Sequence, residues 1–314
     1  MTEELQNTNL NSNLDLDSNF VLKIKNLNKT YGSKKIIDNL NMSVKKGSIY
    51  ALIGKNGSGK TTIMRLVLGL ANPNSGKIEF STENFNRQKI SGAIENPAMY
   101  PDMSASENMI CQCYALGVKN SKKISKELLD TVGLGDCGKK KVKNFSLGMK
   151  QRLSLAFALI GEPEFLLLDE PMNGLDPQGM KEMRDLIAKL NREKNVTFII
   201  SSHILGELIR ISKDYAVINK GKMVREFSHE ELVKEVEPCV RLKVNNISKA
   251  IEILNTELNI NNYKMNESEI FIFGKVDTAK INEVLVKNDL IIESISSQDG
   301  NYEDYFLKLM GGEV

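Results

Sequence analysis

The first part of the sequence that could do chemistry is a glycine-rich segment that ends in lysine and two threonines. Residues 54–61 read Gly-Lys-Asn-Gly-Ser-Gly-Lys-Thr and match the phosphate-loop pattern G-x-x-x-x-G-K-[ST]. In this pattern glycines let backbone N–H groups surround phosphate oxygens, Lys60 reaches the β- and γ-phosphates, and Thr61 can ligate Mg²⁺. The residues predicted to bind a nucleotide here are Gly54, Asn56, Gly57, Ser58, Gly59, Lys60, Thr61 and Thr62.

A pair of carboxylates follows an apolar run later in the chain. Residues 165–170 read Phe-Leu-Leu-Leu-Asp-Glu. Asp169 can hold Mg²⁺ through water, and Glu170 can polarise the water that attacks the γ-phosphate. The alternative is a buried strand that ends in two solvated acids, but the phosphate loop in the same chain favours the catalytic interpretation. Together the two segments predict nucleotide hydrolysis.

The elements that position these residues alternate between strands and helices. Apolar runs predict strands over 21–25, 49–53, 165–169, 196–201 and 215–219. Helical periodicity predicts helices over 59–70, 177–192, 204–211 and 229–236. The stretch 104–160 reads as helical throughout, with a capping box at Ser104 and Glu107 and helices to 115, over 122–132 and over 148–160. We predict an α/β fold in which a helical insertion interrupts a parallel sheet.

The C-terminal part of the sequence has a different pattern. Strands and helices are predicted over 240–244, 249–258, 263–265, 269–273, 278–288 and 291–296, followed by a helix over 302–310. The order β-α-β-β-α-β is typical of a small ferredoxin-like α+β domain. We therefore predict a disordered tail over 1–19, a first domain over 20–237 with its helical subdomain at about 98–160, and an accessory domain over 238–314. A regulatory or dimerising role of the accessory domain and simple packing remain equally open.

Composition excludes several other classes of protein. The 314 residues include 42 basic and 40 acidic side chains, so no overall basic field favours nucleic acid as a partner. No apolar run approaches the roughly 18 residues of a membrane-spanning helix, and 1–19 lacks the features of a signal peptide. The cysteines form no CxxC pair and predict free thiols in a reducing compartment; they are Cys111, Cys113, Cys137 and Cys239.

Shorter motifs stand in order around the phosphate loop and the carboxylate pair. Residues 145–152 read Phe-Ser-Leu-Gly-Met-Lys-Gln-Arg, residues 173–176 read Asn-Gly-Leu-Asp, His203 follows two serines, and Tyr31 precedes a glycine. Singly, Tyr31 would be a half-buried strand aromatic and His203 a helix-cap histidine. Together these motifs resemble the ATP-binding-cassette (ABC) ATPases over about residues 20–227. The resemblance implies the P-loop ABC-ATPase fold, with an antiparallel β subdomain beside the parallel sheet.

The sequence departs from the common family pattern in two places. Leu147 and Met149 replace the usual signature glycine and glutamine, whereas Ser146 and Gly148 are kept. Glu95 stands where most of these ATPases have the glutamine of the coupling loop, and it could either alter coupling or serve as an oxygen ligand of Mg²⁺. These variants, together with the segment 302–307, resemble the subgroup of bacitracin-resistance and lantibiotic-immunity exporters.

The resemblance implies a mechanism and a set of partners. Two copies of the chain would enclose ATP between the phosphate loop of one and the signature residues of the other. The implied roles are adenine stacking by Tyr31, catalysis by Glu170 and His203, Mg²⁺ binding by Thr61, Asp169 and Glu95, trans contact by Ser146, Gly148 and Met149, and a D-loop at Asp176. A separate permease would dock near Glu95 and 99–115, where Met99, Tyr100 and Met103 are either exposed or simply packed.

The expected protein is therefore a bacterial transporter motor on the cytoplasmic face of the membrane, which exports an antimicrobial peptide or a similar amphipathic compound. The main alternative is a soluble ABC ATPase that acts on ribosomes or DNA. The single cassette and the 109-residue spacing of Lys60 and Asp169, without a heptad run, disfavour it. A nucleotide sensor that hardly hydrolyses is a further alternative, against which Glu170 argues.

Overall fold

The computed structural model describes residues 19–80, 89–94, 98–137, 140–203, 205–236, 238–266, 268–274, 276–298 and 302–311. The described residues form two compact units. The first unit contains those up to His229 together with 309–311, and the second contains those in 230–308. Apart from Asn19, the tail predicted over 1–19 lies outside the described residues.

The first unit mixes strands and helices along the chain. In order they are β1 (Phe20–Tyr31), β2 (Lys34–Lys45), β3 (Ile49–Ile53), α1 (Lys60–Val67), β4 (Ser75–Phe80), β5 (Ile90–Ala93), α2 (Ala105–Ala115), α3 (Ser121–Thr131), α4 (Leu147–Ala158), β6 (Phe165–Asp169), α5 (Pro177–Lys194), β7 (Thr197–Ser202), α6 (Leu205–Ile209), β8 (Asp214–Asn219) and β9 (Lys222–Ser228). The boundary between the units falls at the start of α7 (His229–Glu235).

Two sheets lie in the first unit. The strands β2-β1-β4 form an antiparallel sheet. The second sheet has the order β5-β6-β7-β3-β8-β9, and its neighbouring strands are parallel except for the antiparallel pair β8 and β9. Because β3 is buried along its whole length, its sequence is continuously apolar rather than alternating. The loops that follow β3, β6 and β7 meet at the carboxyl edge of this sheet, where open α/β sheets bind ligands.

The helical insertion begins as the sequence predicts. Ser104 accepts a hydrogen bond from the backbone of Glu107, and the Glu107 carboxylate accepts one from the backbone of Ser104, so the predicted capping box starts α2. Two single 3₁₀ turns, Gly135–Cys137 and Val142–Asn144, separate α3 from α4. The stretch predicted to be helical throughout is therefore broken between 131 and 147.

The second unit is a small α+β domain. Its elements are β10 (Cys239–Val244), α8 (Ile247–Thr256), β11 (Tyr263–Met265), β12 (Ile270–Phe273), α9 (Thr278–Lys287) and β13 (Ile292–Gln298), followed by α10 (Tyr302–Leu309). The antiparallel sheet order β11-β12-β10-β13 is that of a ferredoxin-like domain. Its core includes Val240, Leu242, Leu254, Ile272 and Leu285.

The predicted fold class is confirmed. The predicted helix bound that differs most is the end of α1, predicted at 70, which falls at Val67 because Gly69 adopts a left-handed φ of 73°. The strands β2, β4, β5 and β9 were not predicted individually. No helix among the described residues is both long enough and apolar enough to span a membrane.

Candidate functional site

The phosphate loop connects the end of β3 to the start of α1. Gly59, the last residue before α1, has a φ of 112°, which only glycine adopts readily. A Cβ atom at this position would also lie 2.8 Å from Cδ1 of Ile37. The loop therefore requires glycine here, and it leaves the backbone N–H groups at the start of α1 available to an anion.

Lys60 is the buried cation of the site. Its side chain is 6% exposed. The Nζ atom donates a hydrogen bond to the carbonyl oxygen of Gly54 at 2.6 Å and lies 3.6 Å from Oε1 of Glu170. A buried ammonium group needs polar partners, and these two oxygens supply them. The positive charge is thus held inside the loop, beside one of the two predicted carboxylates.

Asp169 is the last residue of β6 and accepts two hydroxyl hydrogen bonds. Thr61 Oγ1 donates to Oδ2 at 2.6 Å, and Ser201 Oγ donates to Oδ1. Three elements therefore meet at this carboxylate, since Thr61 belongs to α1 and Ser201 to β7. Carboxylate and hydroxyl oxygens are the hard ligands that Mg²⁺ prefers.

Glu170 follows directly and is held by β7 and the residue after it. Its φ of 51° is in the left-handed region, which is unusual for glutamate. Its backbone N–H lies 2.9 Å from Ser201 Oγ and 3.2 Å from the Ser201 carbonyl oxygen. Its Oε2 atom lies 2.7 Å from Nδ1 of His203 and accepts a hydrogen bond from the His203 backbone N–H at 3.3 Å. The structure thus brings Lys60, Glu170 and His203 into one cluster.

Two buried side-chain oxygens at this edge accept or donate no hydrogen bond within the described part of the chain. They are Ser58 Oγ in the phosphate loop and Glu170 Oε1. Buried polar atoms normally form hydrogen bonds, so atoms without one at a cluster of this kind indicate a site for a ligand or water. An ammonium group, a helix N-terminus, a hydroxyl and two carboxylates fit a nucleoside triphosphate with its Mg²⁺.

The remaining predicted nucleotide contacts lie around this cluster with different exposure. Tyr31 ends β1 and is 45% exposed, and Nζ of Lys29 lies 4.7 Å from the centre of its ring. Asn56 is exposed, and Thr62 is half-buried. Glu95, the predicted coupling-loop residue and Mg²⁺ ligand, lies outside the described residues.

The signature residues and the D-loop line a surface hollow apart from the phosphate-loop cluster, called the signature hollow below. Ser146, Gly148, Met149 and Asp176 are all part of its wall. Ser146 Oγ caps α4 by accepting from the Met149 backbone at 3.3 Å, and Asp176 Oδ1 caps α5 by accepting from the Gly179 backbone at 3.0 Å. Among the described residues, no hydrogen bond or ion pair joins this group to the phosphate loop.

Two residues at the site were not predicted from the sequence. Ser201 bridges Asp169 and Glu170, as described above. Gly221, in the turn between β8 and β9, donates its N–H to the Ser58 carbonyl oxygen at 2.8 Å. A lysine-glycine pair after a strand is a turn signal that could have placed Gly221 in a loop. Nothing in the sequence around Ser201 indicates its two contacts.

A phosphate loop, a carboxylate pair and a histidine at the carboxyl edge of a parallel sheet define a P-loop nucleotide hydrolase. The ABC transporter family model matches residues 37–173. The bacitracin transport ATP-binding protein BcrA of Bacillus licheniformis is 39% identical over 300 residues, which cover 93% of this chain and 98% of that protein. The lantibiotic transport ATP-binding protein SrtF of Streptococcus pyogenes is 44% identical over 221 residues, 69% of this chain and 95% of the relative. The chain belongs to the ATP-binding subunits of ABC transporters, an ATPase family in which hydrolysis is coupled to transport.

Solved structures have the same fold. The ADP conformation of MJ1267, an ATP-binding cassette of an ABC transporter, superposes with a TM-score of 0.62 at 23% identity, over 69% of this chain and 94% of the cassette. The cbiO1 subunit of the Clostridium perfringens transporter complex cbiONQ has a TM-score of 0.61 at 25% identity, over 77% of this chain and 96% of that subunit.

Proposed function

We propose that this chain is the ATP-hydrolysing motor subunit of a bacterial exporter and that the residues above carry out hydrolysis. The observation that supports this most directly is the meeting of Lys60, Thr61, Asp169, Glu170 and His203 at one sheet edge, within the distances given. Lys60 and the N–H groups of the loop would bind the phosphates of ATP, and Tyr31 would stack on adenine.

Glu170 would orient and deprotonate the attacking water. His203 and its backbone N–H occupy Oε2, so Oε1 is the oxygen left to accept a hydrogen bond from water. Thr61 and Asp169 would hold Mg²⁺, with Glu95 as a further ligand. When bound, Mg²⁺ would neutralise charge on the phosphate oxygens.

We further propose that the working unit is a pair of chains. Ser146, Gly148 and Met149 would complete the ATP site of the second copy, and Asp176 would lie at the junction. Because each chain carries both a phosphate loop and signature residues, a two-fold pair of chains would form two complete ATP sites. The related cassette MJ0796, at 23% identity and a TM-score of 0.59, is described as a dimer with ADP and phosphate.

The proposed membrane partner is a separate permease that contacts the region around Glu95 and 99–115. Tyr100 and Met103 are 58% and 37% exposed, as such a contact requires. Met99 is half-buried, between the exposed and the packed alternatives. The names of the bacitracin and lantibiotic relatives suggest an antimicrobial peptide or a similar amphipathic compound as the exported substrate, handled at the cytoplasmic face of the membrane.

The test of this proposal starts from membranes of the native host, solubilised in mild detergent. We expect the tagged chain to copurify with a polytopic membrane protein and to show vanadate-sensitive ATP hydrolysis. Recovery with ribosomes or DNA, and without a membrane partner, would contradict the transport function.

The role of Glu170 is tested in the same preparation with the isosteric variant Glu170→Gln. The amide cannot accept the proton of the attacking water, so we expect turnover to fall at least roughly 100-fold while ATP stays bound. The matched control is Glu193→Gln, at an exposed carboxylate of α5. Unchanged hydrolysis in Glu170→Gln would remove the catalytic role.

A further inference from the structure

Ser201 lies between the two carboxylate residues of the site and has no exposed surface. Its hydroxyl contacts both of them: Oγ lies against Oδ1 of Asp169 and 2.9 Å from the backbone N–H of Glu170. The same residue also presents its carbonyl oxygen to the Glu170 N–H, at 3.2 Å. A single strand residue therefore holds the side chain of one carboxylate and the backbone of the other.

The chemistry of a hydroxyl determines the direction of both bonds. The backbone N–H of Glu170 can only donate, so Ser201 Oγ accepts there. The one hydrogen of the hydroxyl is then left for Oδ1 of Asp169. Thr61 donates to Oδ2 on the opposite side. Ser201 thus occupies Oδ1 and leaves Oδ2 directed toward Thr61, which is itself a proposed Mg²⁺ ligand.

The backbone of Glu170 depends on the same contacts. A non-glycine residue with a φ of 51° is held in a sparsely populated conformation and keeps it only where its surroundings fix it. Ser201 supplies both described acceptors of the Glu170 N–H, and the Glu170 carbonyl oxygen accepts a hydrogen bond from the Asn173 backbone at 3.1 Å. The Glu170 side chain contacts His203 at Oε2 and lies 3.6 Å from Nζ of Lys60 at Oε1. Removal of the Ser201 hydroxyl would leave the Glu170 N–H with only the longer hydrogen bond, to the Ser201 carbonyl oxygen at 3.2 Å.

We propose that Ser201 is a positioning residue for hydrolysis: its hydroxyl sets the orientation of the Asp169 carboxylate and the backbone conformation that places Glu170. The inference rests on the roles proposed above for these two residues. It concerns the alignment of Asp169 and Glu170 and not the affinity for the phosphates of ATP, because no described contact joins Ser201 to the phosphate loop.

The experiment compares the full-length chain with Ser201→Ala. We expect kcat to fall roughly 10- to 100-fold, as for misplaced catalytic groups, and the Mg²⁺ concentration for half-maximal activity to rise. The affinity for a fluorescent ATP analogue without Mg²⁺ should stay within about 2-fold, because the phosphate loop is untouched. The variant Ser201→Thr keeps the hydroxyl and should restore at least part of kcat.

Thr197→Val is the matched control for stability. Thr197 lies in the same strand, is 1% exposed, and its hydroxyl accepts a backbone hydrogen bond of the same length, 2.9 Å, from Gly47. Thr197→Val therefore loses one buried hydroxyl hydrogen bond in β7 and Ser201→Ala loses two, but only Ser201→Ala loses them at the carboxylates. Thermal unfolding measures the folded fraction of each variant. Per folded molecule, Thr197→Val should have the same kcat as the unmodified chain.

The outcomes separate this inference from the proposed function. If the unmodified chain hydrolyses ATP and Glu170→Gln does not, but Ser201→Ala keeps its kcat, the positioning role is wrong and the catalytic assignment stands. If Ser201→Ala and Thr197→Val lose activity equally, the role of Ser201 is only structural. If Ser201→Thr does not fold, the kcat difference between Ser201→Ala and Thr197→Val decides alone. Absence of hydrolysis in the unmodified chain would contradict the proposed function itself.

Discussion

At the scale of single residues, the phosphate loop depends on a glycine outside its motif. Gly221 donates its N–H to the Ser58 carbonyl oxygen, and its own carbonyl accepts from the Asp38 backbone at 2.9 Å. Gly221 has a φ of 78°, and a Cβ atom would lie 2.0 Å from the carbonyl oxygen of Ile36. Because that neighbour is backbone, it cannot move aside as a flexible side chain would. Gly221 thus links β2, the turn after β8 and the phosphate loop.

We expect Gly221→Ala to lower the free energy of unfolding by at least about 2 kcal/mol, because left-handed strain adds to a backbone clash. It should also weaken ATP binding, since Ser58 loses its support. The measurements are urea denaturation and ATP affinity of the full chain. The control is Gly161→Ala, where φ is 86° but no atom lies within 4 Å of the new Cβ. That variant should lose about 1 kcal/mol and bind ATP normally; equal losses in the two variants would contradict the role of the clash.

At the scale of elements, a polar contact connects the two sheets of the first unit. Tyr50 of β3 is 1% exposed and donates its hydroxyl to Oε1 of Glu226 in β9, at 2.5 Å. The same oxygen accepts from the Ser43 backbone in β2, at 3.2 Å. Glu226 as a whole is exposed, but its carboxyl group lies against Tyr50, and burial there raises its pKa. Lys45 and Asp214 also face this group, with opposite effects on the pKa.

This contact predicts a pH dependence of stability. The pKa of Glu226 is raised in the folded state, so its protonated form is favoured by folding. The stability of the unmodified chain relative to Glu226→Gln should be constant below about pH 4.5, the ordinary glutamate pKa, and should fall as pH rises through the folded-state pKa. Chemical denaturation of both chains between pH 4 and 8 measures this difference.

Asp38 provides a control of opposite sign. Hydrogen bonds from Lys35 and Lys222 lower the pKa of Asp38, so its ionised form is favoured by folding. The stability that the unmodified chain gains relative to Asp38→Asn should be fully present above about pH 4 and be lost as pH falls through the folded-state pKa, so this pair of chains is measured down to about pH 2. If both differences change in the same direction with pH, the account of Glu226 is wrong.

The elements that were predicted accurately have strong local signals. The continuous apolar runs fixed the bounds of β3 and β6, and the capping box fixed the start of α2, because burial and capping act within a few neighbouring residues. The missed strands β5 and β9 have weaker signals: β5 contains a glycine in four residues, and β9 includes charged residues on its exposed positions. Their pairing with distant strands supplies what their own sequences lack.

The residues of the site likewise divide into those with a strong local signal, which were predicted, and those without one. The loop, the carboxylates and His203 were predicted because each motif is a short run of characteristic residues. Ser201 and Gly221 act through contacts across 32 and 163 positions of the chain, with Asp169 and Ser58. A serine inside an apolar strand and a glycine in a turn have ordinary local explanations, so spacing alone does not reveal either contact.

At the scale of the whole molecule, the first unit carries two surfaces that we assign to the same reaction. The first is the phosphate-loop cluster, where Lys60 is buried and Oε1 of Glu170 is without a hydrogen bond among the described residues. The signature hollow is exposed at Ser146 and at Leu147, which is 44% exposed. Since no described contact joins Ser146 to the phosphate loop, we expect these surfaces to work together only between two copies of the chain.

The assembly prediction uses the Glu170→Gln chain, in which bound ATP should persist. We expect light scattering to show a shift from monomer to dimer when ATP and Mg²⁺ are added. Ser146→Arg in the same chain should abolish the shift, because a long cation at the exposed helix cap blocks close approach of a second copy. The affinity of the monomer for ATP should change less than about 3-fold, since each phosphate loop is intact. The control is Ser268→Arg, an equally drastic change at an exposed residue of the second unit, which should still dimerise. Dimerisation of Ser146→Arg with ATP would show that the signature hollow does not form the interface.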